Sequence, residues 1–77
     1  MAKAKPSDKR RKQIGEKLKK LRLGLKYKSA ETFAYDNELN RVQYWRMEKG
    51  ANFTMDSLSR VLDIHKISLA EFFKDLK

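Results

Sequence analysis

The chain has 77 residues, enough for one small domain whose core is only just sufficient without staples, and no cysteine, which excludes disulfides and thiolate metal sites. Nineteen Lys and Arg against ten Asp and Glu give a net charge of +9, an excess that favours polyanionic partners, nucleic acid before anionic membrane. No apolar run has the length of a membrane span or of a signal-peptide core, so the expectation is a soluble, cytoplasmic protein with no membrane role.

The charge is concentrated at one end. Residues 1–28 carry twelve basic and two acidic side chains, residues 29–50 three and four, and residues 51–77 four and four. Residues 1–7, with Lys3 and Lys5, offer little apolar surface to anchor them and read as a flexible basic arm, leaving residues 8–77 as the domain. Lys9, Arg10, Arg11 and Lys12 continue that cationic run, and such a segment can order along phosphates or in a minor groove. From Asp8, Ile14, Leu18, Leu21 and Leu25 recur at helical spacing with Lys17, Lys19, Lys20 and Arg22 between them, which predicts an amphipathic first helix ending near Lys26. Gly15 and Gly24 fall inside it at about 1 kcal/mol each relative to Ala, a cost that close packing of a neighbour would explain.

Ser29 can cap a short second helix that carries Phe33 and Ala34 inward, with Glu31 near its positive end and a stop around Asp36 or Asn37. Asn40 offers a side-chain oxygen to the next helix start, and Gln43 three residues later can reach back in a variant of the capping box. Gly50 is placed to take the left-handed conformation that ends this third helix. Its periodicity divides it into two faces: Leu39, Tyr44 and Met47 on one side, Arg41, Val42, Trp45 and Arg46 on the other. Trp45 has two readings, packing against the second helix or touching sugar and phosphate, because an indole can bury its ring and leave its N–H exposed. Thr54 starts a fourth helix expected to bury Met55, Leu58, Val61 and Leu62, and Ser68 with Glu71 forms a capping box before Phe72 and Phe73. The expectation is all-α, with five helices.

Chemistry of other kinds finds little support. Gly15, Gly24 and Gly50 are too scattered for a phosphate-cradling loop. His65 is the single histidine and reads as a loop or capping residue, since a catalytic base needs a nucleophile and an orienting group. Glu71 and Asp75 are four apart on one face, interleaved with Lys74 and Lys77, and read as solvated surface. The chain is therefore expected to be no enzyme, with no metal and no cofactor.

The stretch from Ile14 to Phe73 resembles the Xre-type, phage-repressor and Cro-like helix-turn-helix family of DNA-binding proteins. "IGEKLKKLR", "SAETFA", "MEKG", and "TMDSLSRVLDI" followed by "SLAEFF" carry the resemblance by their order and spacing. It implies a five-helix domain whose second and third helices form the helix-turn-helix, with the third, about residues 40–49, in the major groove. Base readout then falls to Arg41, Val42 and Arg46, with Asn40 and Gln43 at the rim. Backbone contacts fall to Lys28, Ser29, Trp45 and Lys49, and to Lys3, Lys5, Lys9, Arg10, Arg11 and Lys12 from the basic end. The same resemblance implies an ion pair between Arg22 and Glu48.

Departures accompany the matches. Ala30 stands where the family commonly has a phosphate-binding Gln, and Glu38 where the turn commonly has Gly. Asp36 or Asn37, which tolerate unusual angles, could redistribute that turn. The implied function is sequence-specific regulation of transcription on double-stranded DNA, as a homodimer on two-fold related half-sites. Phe72, Phe73 and Leu76 are the first guess for the dimer surface, unless they only close the core. Two alternatives stay open: an antitoxin-type module that binds DNA and a second protein, and an interaction domain without DNA readout, consistent with the slight negative charge of residues 29–50.

Overall fold

The computed structural model describes residues 6–74, for Pro6 and Ser7 the backbone alone, so Lys3, Lys5, Asp75, Leu76 and Lys77 lie outside the described residues. Among the described residues the chain forms α1 (Pro6–Gly24), α2 (Ala30–Asp36), α3 (Arg41–Glu48), α4 (Met55–His65) and α5 (Leu69–Phe73), and no strand. The all-α expectation and the helix count hold. Each start is local chemistry: Ser29, Asn40, Thr54 and Ser68 have extended backbone, and their side chains accept hydrogen bonds from the N–H groups of Thr32, Gln43, Ser57 and Glu71.

Four boundaries or caps depart from expectation. The helix starts by Pro6, so Lys9, Arg10, Arg11 and Lys12 are turns of α1 and not part of a flexible segment. It stops at Gly24 because Lys26 takes the left-handed conformation, φ 69°, and Tyr27 N–H closes the turn on the Arg22 carbonyl at 3.2 Å. That stop takes Leu25 off the apolar stripe, and it is 48% exposed. Gln43 does not reach back to Asn40; its amide nitrogen donates instead to Ser57 Oγ at 2.9 Å, fastening α3 to the first turn of α4. In α5 the box is half-made: Ser68 Oγ accepts from Glu71 N–H at 3.1 Å, while the Glu71 carboxylate meets the Ser68 hydroxyl at 3.4 Å and not its N–H.

The core is Ile14 and Leu18 of α1, Phe33 and Ala34 of α2, Tyr44 and Met47 of α3, Leu58, Val61 and Leu62 of α4, and Phe72 of α5. Leu39, Leu21 and Ile64 pack around it. Met55, expected inside, is 56% exposed; it is the first residue of α4 and stands outside the core cluster. His65, expected in a loop or cap, is the last residue of α4 and stacks on the buried Phe33 ring, centroids 5.4 Å apart and planes 11° apart. Its Nε2 is buried without a hydrogen-bond partner, and burial lowers its pKa below the ordinary imidazole value.

Candidate nucleic-acid interface

The two faces of α3 are set by how it is held. Tyr44 and Met47 are buried on one side, and Gly15 of α1 lets the end of the helix come close: a Cβ there would lie 2.5 Å from the Met47 carbonyl oxygen and 2.6 Å from that of Glu48. Only a residue without a side chain fits this crossing, which explains Gly15. Gly24, the last residue of α1, has nothing within 4 Å, so close packing does not explain it.

The same end of α3 is fixed electrostatically. Arg22 Nε donates to Glu48 Oε2 at 2.8 Å and its second amino group to Oε1 at 3.0 Å, a two-pronged pair whose side chains are only 5% and 6% exposed. A third donor of Arg22 reaches the Tyr27 carbonyl at 2.8 Å, so α1, the α1–α2 connection and α3 meet at one guanidinium. The hydrogen bond to Glu48 raises the Arg22 pKa further. Tyr44 brings its hydroxyl into the same region without a hydrogen-bond partner; burial, and then the Glu48 carboxylate, push its ionisation far above the ordinary phenol range. Gly50, at φ 91°, ends the turn after α3 in the left-handed region, and its carbonyl accepts from Arg11 Nε at 3.3 Å. The Arg11 guanidinium also bonds Asp8. Arg11 is thereby a brace between α1 and the end of α3, not a loose cation.

The connection from α2 to α3 keeps the shape of a tight turn despite its sequence. Glu38 itself takes the left-handed conformation, φ 59°, so the turn is not redistributed to Asp36 or Asn37. Asn37 secures it by donating from its side chain to the Phe33 carbonyl at 2.8 Å, and Leu39 N–H closes on the Ala34 carbonyl at 2.8 Å.

With α3 held in this way, Asn40, Arg41, Val42, Gln43, Trp45, Arg46 and Lys49 are all exposed. Neither Arg41 nor Arg46 has a carboxylate within ion-pair distance among the described residues. Trp45 is 49% exposed and Val42 58%, two of several large apolar side chains open to solvent. The Lys49 ammonium lies 5.6 Å from the centre of the Trp45 ring. Trp45 borders Glu31 of α2 as well as Arg41, Val42 and Arg46, so it is part wall and part surface. Lys28 and Ser29 are exposed beside the start of α2, near enough to Trp45 and Lys49 that Ser29 lines one groove with both.

Asn52 was not singled out by sequence; from the α3–α4 connection it lines a hollow of about 460 Å³ with Asn40, Val42, Gln43 and Arg46. Its signal, a polar residue two positions beyond the helix-ending Gly50, is weak on its own. Of the expected dimer residues, Phe72 is fully buried and closes the core, and Phe73 is 39% exposed. No group of His, Asp and Glu that could hold a metal occurs among the described residues, and no helix there is long and apolar enough to cross a membrane. Compared with known proteins, the chain matches no family model, no curated protein and no solved structure at a significant level.

Proposed function

We propose that the protein is a sequence-specific DNA-binding regulator of the Xre type. In this reading α2 and α3 act as a helix-turn-helix, and α3 enters the major groove. The observation that carries it is the outward face of α3, where Arg41 and Arg46 stand about one and a half turns apart and unpaired among the described residues, while the opposite face is buried. An α-helix with its side chains is about 10–12 Å across, which the major groove, roughly 12 Å wide, admits. A guanidinium fork can donate two hydrogen bonds to guanine O6 and N7, and Val42 can meet a pyrimidine C5-methyl group, which in unmodified DNA is that of thymine, so the preferred unmodified half-site contains G and T.

Lys28, Ser29, Lys49 and the basic residues near the N-terminus, apart from Arg11, which Asp8 and the Gly50 carbonyl engage, position the domain on phosphates without selecting sequence. A single module of this size reads few base pairs, which favours a homodimer on half-sites about 34 Å apart. Selection from a random DNA pool, followed by binding of single-base variants, tests the reading. Arg46→Ala is expected to lose about 1–3 kcal/mol on the preferred site and to relax choice at one position. Equal losses on every sequence, for Arg41→Ala as well, refute direct readout by these residues.

A further inference from the structure

One concavity on the outer face of α3 combines groups that phosphate binding does not require. It measures about 360 Å³ and is lined by Val42 and Trp45, the two guanidinium residues Arg41 and Arg46, and Glu31 from α2. The half-exposed valine and indole supply its apolar lining, and two cations and one carboxylate its charged lining. Glu31 sits in the first turn of α2, where the positive helix end favours a carboxylate; in this hollow it weakens attraction to phosphate and offers an acceptor to a ligand that carries a hydrogen-bond donor.

The edges of the base pairs in the major groove can be sorted against this set. Guanine offers two acceptors to an arginine fork. Cytosine offers an amino donor to a carboxylate but no methyl group, and thymine offers a methyl group but an acceptor oxygen where the amino group would be. A cytosine carrying a methyl at C5 presents both features at once. Followed by guanine, it matches the apolar lining, the carboxylate and the guanidinium groups together.

Building on the DNA-binding reading above, we propose that the Val42–Trp45 concavity receives the methyl group of 5-methylcytosine in a methylated CpG step. Glu31 accepts from the cytosine amino group, and Arg41 or Arg46 takes the adjacent guanine. The protein then reads the methylation state of its site as well as its sequence. Lys49 over the Trp45 ring helps to hold the indole in place as the wall of this hollow.

The test uses the full chain and two random DNA pools, one untreated and one methylated at every CpG, followed by short duplexes identical except for CpG, methylated CpG or TpG at the selected step. The methylated pool is expected to yield a consensus containing CpG. The methylated duplex should bind about fourfold tighter than the unmethylated one for each methyl buried, and tighter than the TpG duplex. Trp45→Ala and Val42→Ala, both at exposed positions and checked by circular dichroism for an intact fold, should lose the methyl preference. Glu31→Gln should lose the preference for methylcytosine over thymine. Sequence-selective binding that changes less than twofold with methylation overturns methyl recognition and leaves the DNA-binding reading standing. Binding that selects no sequence from either pool overturns both.

Discussion

Truncating Glu48 probes the joint on which the placement of α3 depends. Arg22 makes three hydrogen bonds there, two to the Glu48 carboxylate and one to the Tyr27 carbonyl, with both side chains almost inaccessible to water. Glu48→Ala removes two acceptors and the compensating charge while the guanidinium stays buried and protonated. Breaking such a pair from one side costs about 3–5 kcal/mol, because the remaining charge is left without its partner. A chain of this size has on the order of 4–12 kcal/mol of stability at roughly 0.05–0.15 kcal/mol per residue, so the loss removes at least about a quarter of it and, at the lower end of that range, unfolds the variant. At about 4–8 °C per kcal/mol the melting temperature should fall by at least about 12 °C. Thermal and urea melts followed by circular dichroism measure this directly. A paired replacement, Arg22→Met with Glu48→Leu, removes both charges and should recover part of the loss, the residue being the orphaned Tyr27 carbonyl. A Glu48→Ala melt within about 2 °C of the parent refutes a stabilising role for the buried pair.

Gly15→Ala should destabilise by about 1–3 kcal/mol despite the better helix propensity of Ala, because the contacted atoms are backbone; Gly24→Ala, with open space around it, should stabilise by about 0.5–1 kcal/mol. Urea melts of the two variants check both signs. The buried, orphaned His65 makes stability pH-dependent: its folded pKa is lowered, so the unfolded chain binds the proton first as pH falls below the ordinary imidazole value. Stability should be level above about pH 7, decline below about 6.5, and lose that slope in His65→Gln, as urea melts across this range would register. Deleting residues 1–5, which removes Lys3 and Lys5, should weaken binding to all DNA sequences and reduce the log–log salt slope by about 2. An unchanged slope means that these lysines do not engage DNA.

What could be read from the sequence was what local chemistry decides. Ser29, Asn40, Thr54 and Ser68 announce their helices because the capping bond spans only three residues, and Gly50 announces a stop because few other residues take its backbone angle. The division of α3 into a Tyr44 and Met47 side and an Arg41 and Arg46 side follows from helical periodicity alone. Tertiary geometry was less accessible. The Arg22–Glu48 pair joins residues 26 apart, and only the family resemblance brought it forward. Gln43 bonding Ser57, and His65 stacking on Phe33, depend on how α4 is placed, which no spacing encodes. Leu25 and Met55 were misread for a shared reason: each keeps the apolar period but stands where a helix ends or begins, beyond reach of the packed interior.

The division of labour within α3 has a consequence for how the interface can vary. Position and orientation are set by Gly15, Arg22, Tyr44, Met47 and Glu48, none of them on the exposed face. Arg41, Val42, Trp45 and Arg46 contribute little to the core, so substitutions there are expected to change the proposed DNA binding with small effects on folding, generally within about 0.5 kcal/mol for exposed sites. Gln43 is the exception, since its amide ties α3 to Ser57 while its side chain remains exposed at the edge of the same face. A change at Gln43 therefore alters both the tether to α4 and the rim of the candidate interface. Separating the two effects requires Ser57→Ala, which removes the tether's acceptor while leaving Gln43 in place. If binding preference shifts with Gln43→Ala and not with Ser57→Ala, Gln43 acts through its own contact with the ligand; if both shift it alike, the tether sets the angle at which α3 is presented.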